Sequence, residues 1–342
     1  MAEITVVITA YQLEKYIGSC LEELFSGTYQ DFDVVLVDDC SKDRTADIVK
    51  TYAERYPGRI HPVFLQENLG SPAKTRNRAM DSGFIDGEYV VFLDGDDSLE
   101  PSYLEKLHTL AVQSGADVAI CAYDRVEEES GRVLCTEMRG FPAGIALPPQ
   151  DDTLAFINGS LWNKMFRRKP ALSHRIPDFK VGEDLCYQQA VYGDCGKIAC
   201  TDEVLIHYRV RSNSVISNTE EKTIRLFAKE LARQYNAAQD AAQKDMVGLL
   251  AFIHIGISMA LRAADNPKIN LHDHLKWTCS YLEHSYGWFH GNRWMRLSQL
   301  KKHGLKGWAL WACKLLYRIG CFRLFLWCYR GAVKCFHVDF KF

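Results

Sequence analysis

The chain has 342 residues, 47% of them apolar and 25% charged, the composition of an ordinary globular protein too long for one small core. Its twelve cysteines are scattered, with no C-x-x-C pair and no Cys/His spacing of a zinc site, and Met1-Ala2-Glu3 runs into an apolar strand without a secretory leader. These features set aside a disulfide framework and a zinc module, and point to reduced thiols in a cytoplasmic protein. The net charge of −2 is unevenly spread: residues 300–342 hold nine Lys/Arg and one acidic residue, Asp339, which leaves 32 Lys/Arg against 42 Asp/Glu before them. An acidic body with a basic, aromatic tail points to an anionic surface as partner and gives no reason to expect nucleic acid.

Strand and helix signals alternate through the first third. Ile4–Thr9 and Asp33–Asp38 read as buried strands, with a helix over Leu13–Phe25 between them. A helix over Asp43–Tyr56 is stopped by Pro57-Gly58, and Ile60–Leu65 is the third strand. Pro72–Ser82 is a helix, Tyr89–Asp94 a strand, Pro101–Gln113 a helix and Asp117–Tyr123 a strand. This order predicts an α/β fold, a mainly parallel sheet with helices on both faces. Val126–Met138 then reads as a hairpin, Gly140–Gln150 as a Gly/Pro-rich loop, and everything from Thr219 onward as helix. Within that region Val247–Leu261 is apolar, short for a bilayer and interrupted by His254, as suits a buried helix. The expected divisions are 1–217, a helical region 218–299 and the tail 300–342.

The densest chemistry lies in Y-V-V-F-L-D-G-D-D at 89–97, where a strand ends in three carboxylates within four residues. In a parallel sheet the carboxyl ends of strands line the ligand crevice. Mutual repulsion among Asp94, Asp96 and Asp97 favours a cation, and oxygen donors on a short turn suit Mg²⁺ or Mn²⁺ shared with phosphate oxygens. A solvated Asp-Gly turn capping the next helix accounts for these four residues alone equally well. Thr9-Ala10-Tyr11 and Asp38-Asp39-Cys40-Ser41 end the first two strands on the same side, which adds an aromatic and further carboxylates to one crevice. No G-x-G-x-x-G follows the first strand, against a dinucleotide dehydrogenase.

These residues occur in a recognisable series: I-T-V-V-I-T-A-Y (4–11), V-V-L-V-D-D-C-S-K-D-R-T (34–45), N-L-G-S-P-A-K-T-R-N (68–77) and F-L-D-G-D-D (92–97). W-N-K-M-F (162–166), G-E-D-L (182–185) and H-Y-R-V-R-S-N-S (207–214) continue it. Over residues 3–217 the chain resembles the inverting glycosyltransferases of family 2, with a Rossmann-like GT-A fold, and most of all the bacterial members that build cell-surface glycans.

The resemblance implies a UDP-sugar donor, a metal held through a D-x-D motif, and a role for each matched position. Thr9 and Tyr11 would contact the nucleotide, Tyr11 against the base, while Asp39 would accept the uracil imide N–H. Asp38 would hold its loop. Arg76 would lie beside the nucleotide and neutralise Asp39 or the phosphates; Lys74 fits a solvated helix face as well. Asp94 would reach the ribose or a metal-bound water, Asp96 would ligate the metal, and Asp97 would orient the acceptor or the turn. Inversion needs a general base, for which Asp184 is the first choice and Glu183 the alternative. His207 would complete the metal shell, with Arg209 and Arg211 near the leaving diphosphate. Trp162 is a candidate platform under the sugar or acceptor, with core packing as its other reading. The sequon Asn158-Gly159-Ser160 carries no function in a cytoplasmic setting.

Two other functions fit parts of the pattern: a nucleotidyltransferase, which wants a Gly-rich basic loop where Ala10-Tyr11-Gln12-Leu13 stands, and a non-catalytic glycan-assembly subunit. In the tail, helical spacing places Arg323, Arg330 and Lys334 on one face of 322–336, with Trp327 at their edge. Helices lying in the headgroup plane suit it, on the inner face of the cell membrane and near a lipid-linked acceptor; a helical hairpin docked on the catalytic domain with a solvated basic edge is its other reading.

Overall fold

The computed structural model describes residues 2–210, 219–287 and 291–336, with side chains through residue 331. The chain forms two compact units, Met1–Pro149 with Asn158–Ser214, and Gln150–Ile157 with Val215–Phe342.

The first unit is built on a ten-stranded sheet. Its β-branched runs form β1 (Ile4–Ala10), β2 (Phe32–Asp38), β3 (Ile60–Phe64) and β4 (Tyr89–Asp94), lying parallel in the order β3-β2-β1-β4. β1, β2 and β4 are buried nearly throughout, as strands covered on both faces must be. Between them run α1 (Ile17–Ser26), α2 (Thr45–Arg55) and α3 (Pro72–Met80), the last opened by proline at a first-turn position where its missing N–H costs nothing. After β4 come the two-residue β5 (Ser98–Leu99), α4 (Tyr103–Ser114), β6 (Val118–Glu127), β7 (Val133–Glu137) and β8 (Ala146–Leu147). β9 (Lys164–Arg167), α5 (Arg168–Leu172), α6 (Glu183–Gly193) and the long β10 (Ile198–Val210) complete the unit. The sheet is mixed beyond β4: β9 runs antiparallel between β4 and β6, and β10 pairs parallel with β6 and antiparallel with β5 and β8.

Two expected helices start later than their periodicity suggests, for one reason. Backbone N–H groups of Gln12, Leu13 and Glu14 donate to the side chains of Ser41 (2.9 Å), Thr45 (2.8 Å) and Asp43 (3.1 Å). Residues 11–16 are thus held as a loop against the loop after β2, and Asp43 serves as an acceptor ahead of α2 rather than inside it.

The second unit is helical: α7 (Glu221–Ala237), α8 (Ala241–Ala251), α9 (Met259–Asp265), α10 (Leu271–Tyr286), α11 (Leu297–Leu300), α12 (Gly304–Arg318) and α13 (Phe322–Phe336). α8 and α9 are continuous through a π-helical stretch, Phe252–Ser258. That run, Ala241–Asp265, is the one described helix long and apolar enough to cross a membrane, and 78% of its apolar window is buried in the protein's own interior. The segments expected separately as 218–299 and 300–342 share this one unit.

Candidate active site

Parallel pairing sets the carboxyl ends of three strands side by side. Thr9 stands in register with Asp94 of β4, and Ala10 with Asp38 of β2. Half of Tyr11 is exposed just beyond β1. The β2 end is closed locally: Asp38 Oδ2 accepts the Ser41 N–H at 3.1 Å and so holds the turn. Asp39 is buried, and both of its oxygens are engaged, Oδ1 by the Leu69 N–H at 2.8 Å and Oδ2 by the Asn68 amide at 3.0 Å. The segment N-L-G therefore positions Asp39.

The turn after β4 is compact because Gly95 leaves room for its neighbours. A Cβ there would stand 2.8 Å from Ile17 Cδ1 and 3.2 Å from Leu13 Cδ1. The Asp97 N–H closes the turn onto the Asp94 carbonyl at 3.1 Å. The Asp97 carboxyl is buried, with Oδ2 unpartnered, and accepts the Arg209 N–H from β10. Burial and the adjacent Asp94 push its pKa well above the usual carboxylate range. Asp96 is half-buried beside it.

α6 delivers the second cluster. Its N-cap, Gly182, has φ 88°, a left-handed turn that a side chain would strain, and the first helical residues are Glu183 and Asp184. Arg76 of α3, only 3% exposed, joins the two clusters. Its Nη1 donates to Asp184 Oδ1 at 2.9 Å and its Nη2 to Asp94 Oδ1 at 2.6 Å. Burial alone would lower the pKa of Arg76, but Asp184 and Asp94 more than offset this and raise it. Burial, then repulsion from Asp184, pushes Glu183 up to about 7. Burial raises Asp184 as well, against the opposing pull of Arg76. A proton acceptor more basic than an ordinary carboxylate is the result.

Sequence reasoning assigned no role to a third charged group here. Lys164 of β9 is fully buried and donates to the carbonyls of Asn158 (3.0 Å) and Ser160 (2.5 Å) and to Oδ1 of Asn163 (2.8 Å). Burial lowers its pKa to about 7, while Asp184 is near enough to pull it upward. A lysine inside the apolar run W-N-K-M-F was the available signal. Asn163, also buried, donates to the Cys121 carbonyl at 2.8 Å and ties β9 to β6.

Several expectations change in detail. Arg76 neutralises Asp94 and Asp184, not Asp39, because α3 aims it away from the Asn68–Leu69 clasp. Trp162 is core rather than platform: 6% exposed, it stacks on Tyr208 at 5.3 Å between ring centroids and meets Tyr123 edge-on at 4.6 Å. His207 pairs with Glu100 at 2.8 Å and lies 3.7 Å from Asp124, so its imidazole is held between two other carboxylates. Lys74 is half-exposed in an ion pair with Asp178 at 3.2 Å. Arg209 lies over Tyr16, with its Nε buried and unpartnered. Arg211 falls outside the described residues.

Among the described residues no three His, Cys, Asp or Glu side chains converge as a ready-made metal site. The donor chemistry at the β4 end, Asp96 with Asp94 partly exposed, fits a Mg²⁺ or Mn²⁺ that arrives with a diphosphate and keeps phosphate and water ligands.

The profile of the glycosyl transferase family 2 matches residues 5–171. EpsH of Bacillus subtilis (strain 168) is 27% identical over 233 residues, 64% of each chain. The glycosyltransferase GlyA of Streptococcus pneumoniae serotype 4 is 28% identical over 231 residues, 64% of this chain and 32% of its own length. The chain thus spans less than two thirds of either relative. Among solved structures, residues 1–349 of Staphylococcus aureus TarS, in complex with UDP-GlcNAc, superpose with a TM-score of 0.68. That match is 21% identical and covers 93% of this chain and 92% of the other, so the two share a fold.

Proposed function

We propose that the chain, whose residues 5–171 match the glycosyl transferase family 2 model, is a member of that family and moves a sugar, with inversion, from a UDP-sugar to a hydroxyl of a cell-surface glycan acceptor, one carried on a lipid. The observation that carries this reading is the Arg76 bridge. One buried guanidinium binds Asp94 at the end of β4 and Asp184 at the start of α6, which supports a reading in which a base stands beside the turn that takes the diphosphate.

In this reading Tyr11 stacks on the uracil, Asp39 accepts its imide N–H with lone pairs left over from the Asn68–Leu69 clasp, and Thr9 lines the nucleotide. Asp184 takes the proton of the acceptor hydroxyl. The freed oxygen lone pair forms the new bond at the anomeric carbon as the sugar–phosphate bond breaks. The electron pair of that bond leaves with UDP, and the proton stays on Asp184 until water collects it. Arg76 fixes Oδ1 of Asp184, so that Oδ2 is the atom presented. Arg209 faces the growing diphosphate charge. Asp96 would hold a divalent cation, which when bound would supply further charge neutralisation for that leaving group.

UDP release across a panel of nucleotide sugars, read together with the anomeric configuration of the product, tests the proposal. Asp184→Asn should keep UDP-sugar binding and lose transfer by about 10²-fold or more. Retained transfer in Asp184→Asn with loss in Glu183→Gln moves the base to Glu183, and an α-linked product from an α-linked donor refutes inversion. For the metal, calorimetric titration of UDP should show Mn²⁺-assisted affinity that Asp96→Ala removes.

A further inference from the structure

The outer surface of the helical unit is built the wrong way round for contact with water. α12 packs inward through Leu310, Cys313 and Tyr317, and the Tyr317 hydroxyl donates to the Gly256 carbonyl in the π-helical stretch at 2.5 Å. Its opposite side carries Leu305, Trp308, Ala312, Leu315 and Ile319, at i, i+3, i+7, i+10 and i+14, and all five are exposed. That spacing confines them to an arc of roughly 80° along the whole helix. Leu305 is 87% exposed and Ile319 67%. On α13, Leu324 and Trp327 are exposed as well, Trp327 at 74%. Of thirteen exposed large hydrophobic residues described in the protein, six fall between positions 305 and 327. Contiguous apolar surface of this kind marks an interaction site.

The exposed charges of this segment select its occupant. Lys301, Lys302, Lys306, Arg318 and Arg323 are exposed, and no Asp or Glu occurs between Leu300 and Gly331. A second copy docked face to face would oppose cation with cation across an apolar seam. An anionic lipid surface satisfies both parts: aliphatic side chains enter the acyl boundary, Trp308 and Trp327 occupy the headgroup level where indole is favoured, and the cations meet phosphate. α12, with 15 residues, is about 22 Å long, too short to cross a hydrocarbon core of about 30 Å. We infer that the outer face of α12, together with the start of α13, lies in the headgroup plane of an anionic membrane and holds the protein there as a peripheral enzyme. The inference rests on the helical unit alone and stands independently of the donor and the base.

Co-sedimentation of the full chain with vesicles tests it. Wild type should pellet with phosphatidylcholine vesicles containing phosphatidylglycerol at low salt, and much less with phosphatidylcholine alone or at high salt. Leu315→Glu combined with Ile319→Glu should weaken vesicle binding by about tenfold or more, and Lys306→Glu with Arg323→Glu should do the same. All four positions are exposed, so circular dichroism and UDP affinity should be unchanged. Wild type remaining in the supernatant with both vesicle types at low salt overturns the inference, as does wild-type binding by both variants. A dimer that Leu315→Glu with Ile319→Glu dissolves, in a protein that ignores vesicles, assigns the face to a second copy instead.

Discussion

Arg76 and Asp184 are 108 residues apart in the chain and 2.9 Å apart in space, and the same guanidinium reaches Asp94 at 2.6 Å. The contact ties α3, β4 and α6 into one charged cluster in which the cation is almost wholly shielded from water while each carboxylate keeps some exposure. Two acids held by one base remain chemically distinct here, because Asp94 ends a strand and Asp184 opens a helix.

Removing Arg76 leaves two partly buried carboxylates facing each other without a cation. Arg76→Ala should cost roughly 3 kcal/mol of unfolding free energy in urea and abolish transfer. Arg76→Lys should restore part of the stability and little activity, since one ammonium cannot span both acids in the forked geometry. Near-wild-type unfolding of the alanine variant would show that the bridge contributes no stability.

Glu183 makes stability depend on pH in a definite direction. Its pKa rises on folding from the ordinary 4.5 to about 7, so the native state holds a proton that the unfolded chain releases across that window. Its stabilising contribution is full below 4.5 and is lost as pH climbs toward 7. Urea midpoints measured from pH 4.5 to 7.5 should therefore fall less steeply in Glu183→Gln than in wild type. Identical slopes would mean that Glu183 titrates as an exposed acid.

Lys164 gives the opposite slope. Its pKa falls from 10.5 to about 7 on folding, so between these values the unfolded chain binds more protons and stability rises with pH. Lys164→Met should remove that rise. It should also cost about 1–3 kcal/mol near pH 7, because the carbonyls of Asn158 and Ser160 lose their donor in a buried place. Unfolding curves at pH 7 and pH 9.5 read both effects.

Tyr11 and Asp39 should separate binding from folding. Tyr11 is half-exposed, and Tyr11→Ala should leave the thermal midpoint in place while weakening UDP binding about tenfold, the worth of one stacking contact. Asp39 anchors Asn68 and Leu69, so Asp39→Ala should lower both the midpoint and the affinity. Full UDP affinity in Tyr11→Ala would remove the base-stacking role.

The alternation of strands and helices was legible because it is local. β-branched runs such as Ile4–Ala10 and Tyr89–Asp94 can only be covered strands, and parallel pairing then brings Thr9, Asp38 and Asp94 to one edge whatever lies between them. The roles expected of Asp96, Glu183 and Asp184 came from the family resemblance; the structure puts Asp96 just after β4 and the other two at the start of α6. Helix starts were less legible, since Leu13 carries helical periodicity while its N–H is taken by Thr45.

Tertiary structure decided the rest, because a side chain's partner and its exposure depend on elements remote in sequence. Arg76 could have served Asp39; packing of α3 against β1 and β2 gave it Asp94 and Asp184 instead. Trp162 and Lys164 have the composition of a platform and a solvated charge, yet β9 enters the sheet between β4 and β6 with Lys164 inside and Trp162 buried just ahead of it. In α12 the pattern is apolar on two sides, and periodicity cannot say which side faces the core. Tyr317 settled it by reaching Gly256, whose carbonyl lies in the π-helical turn, and that choice left the Leu305–Ile319 stripe outside.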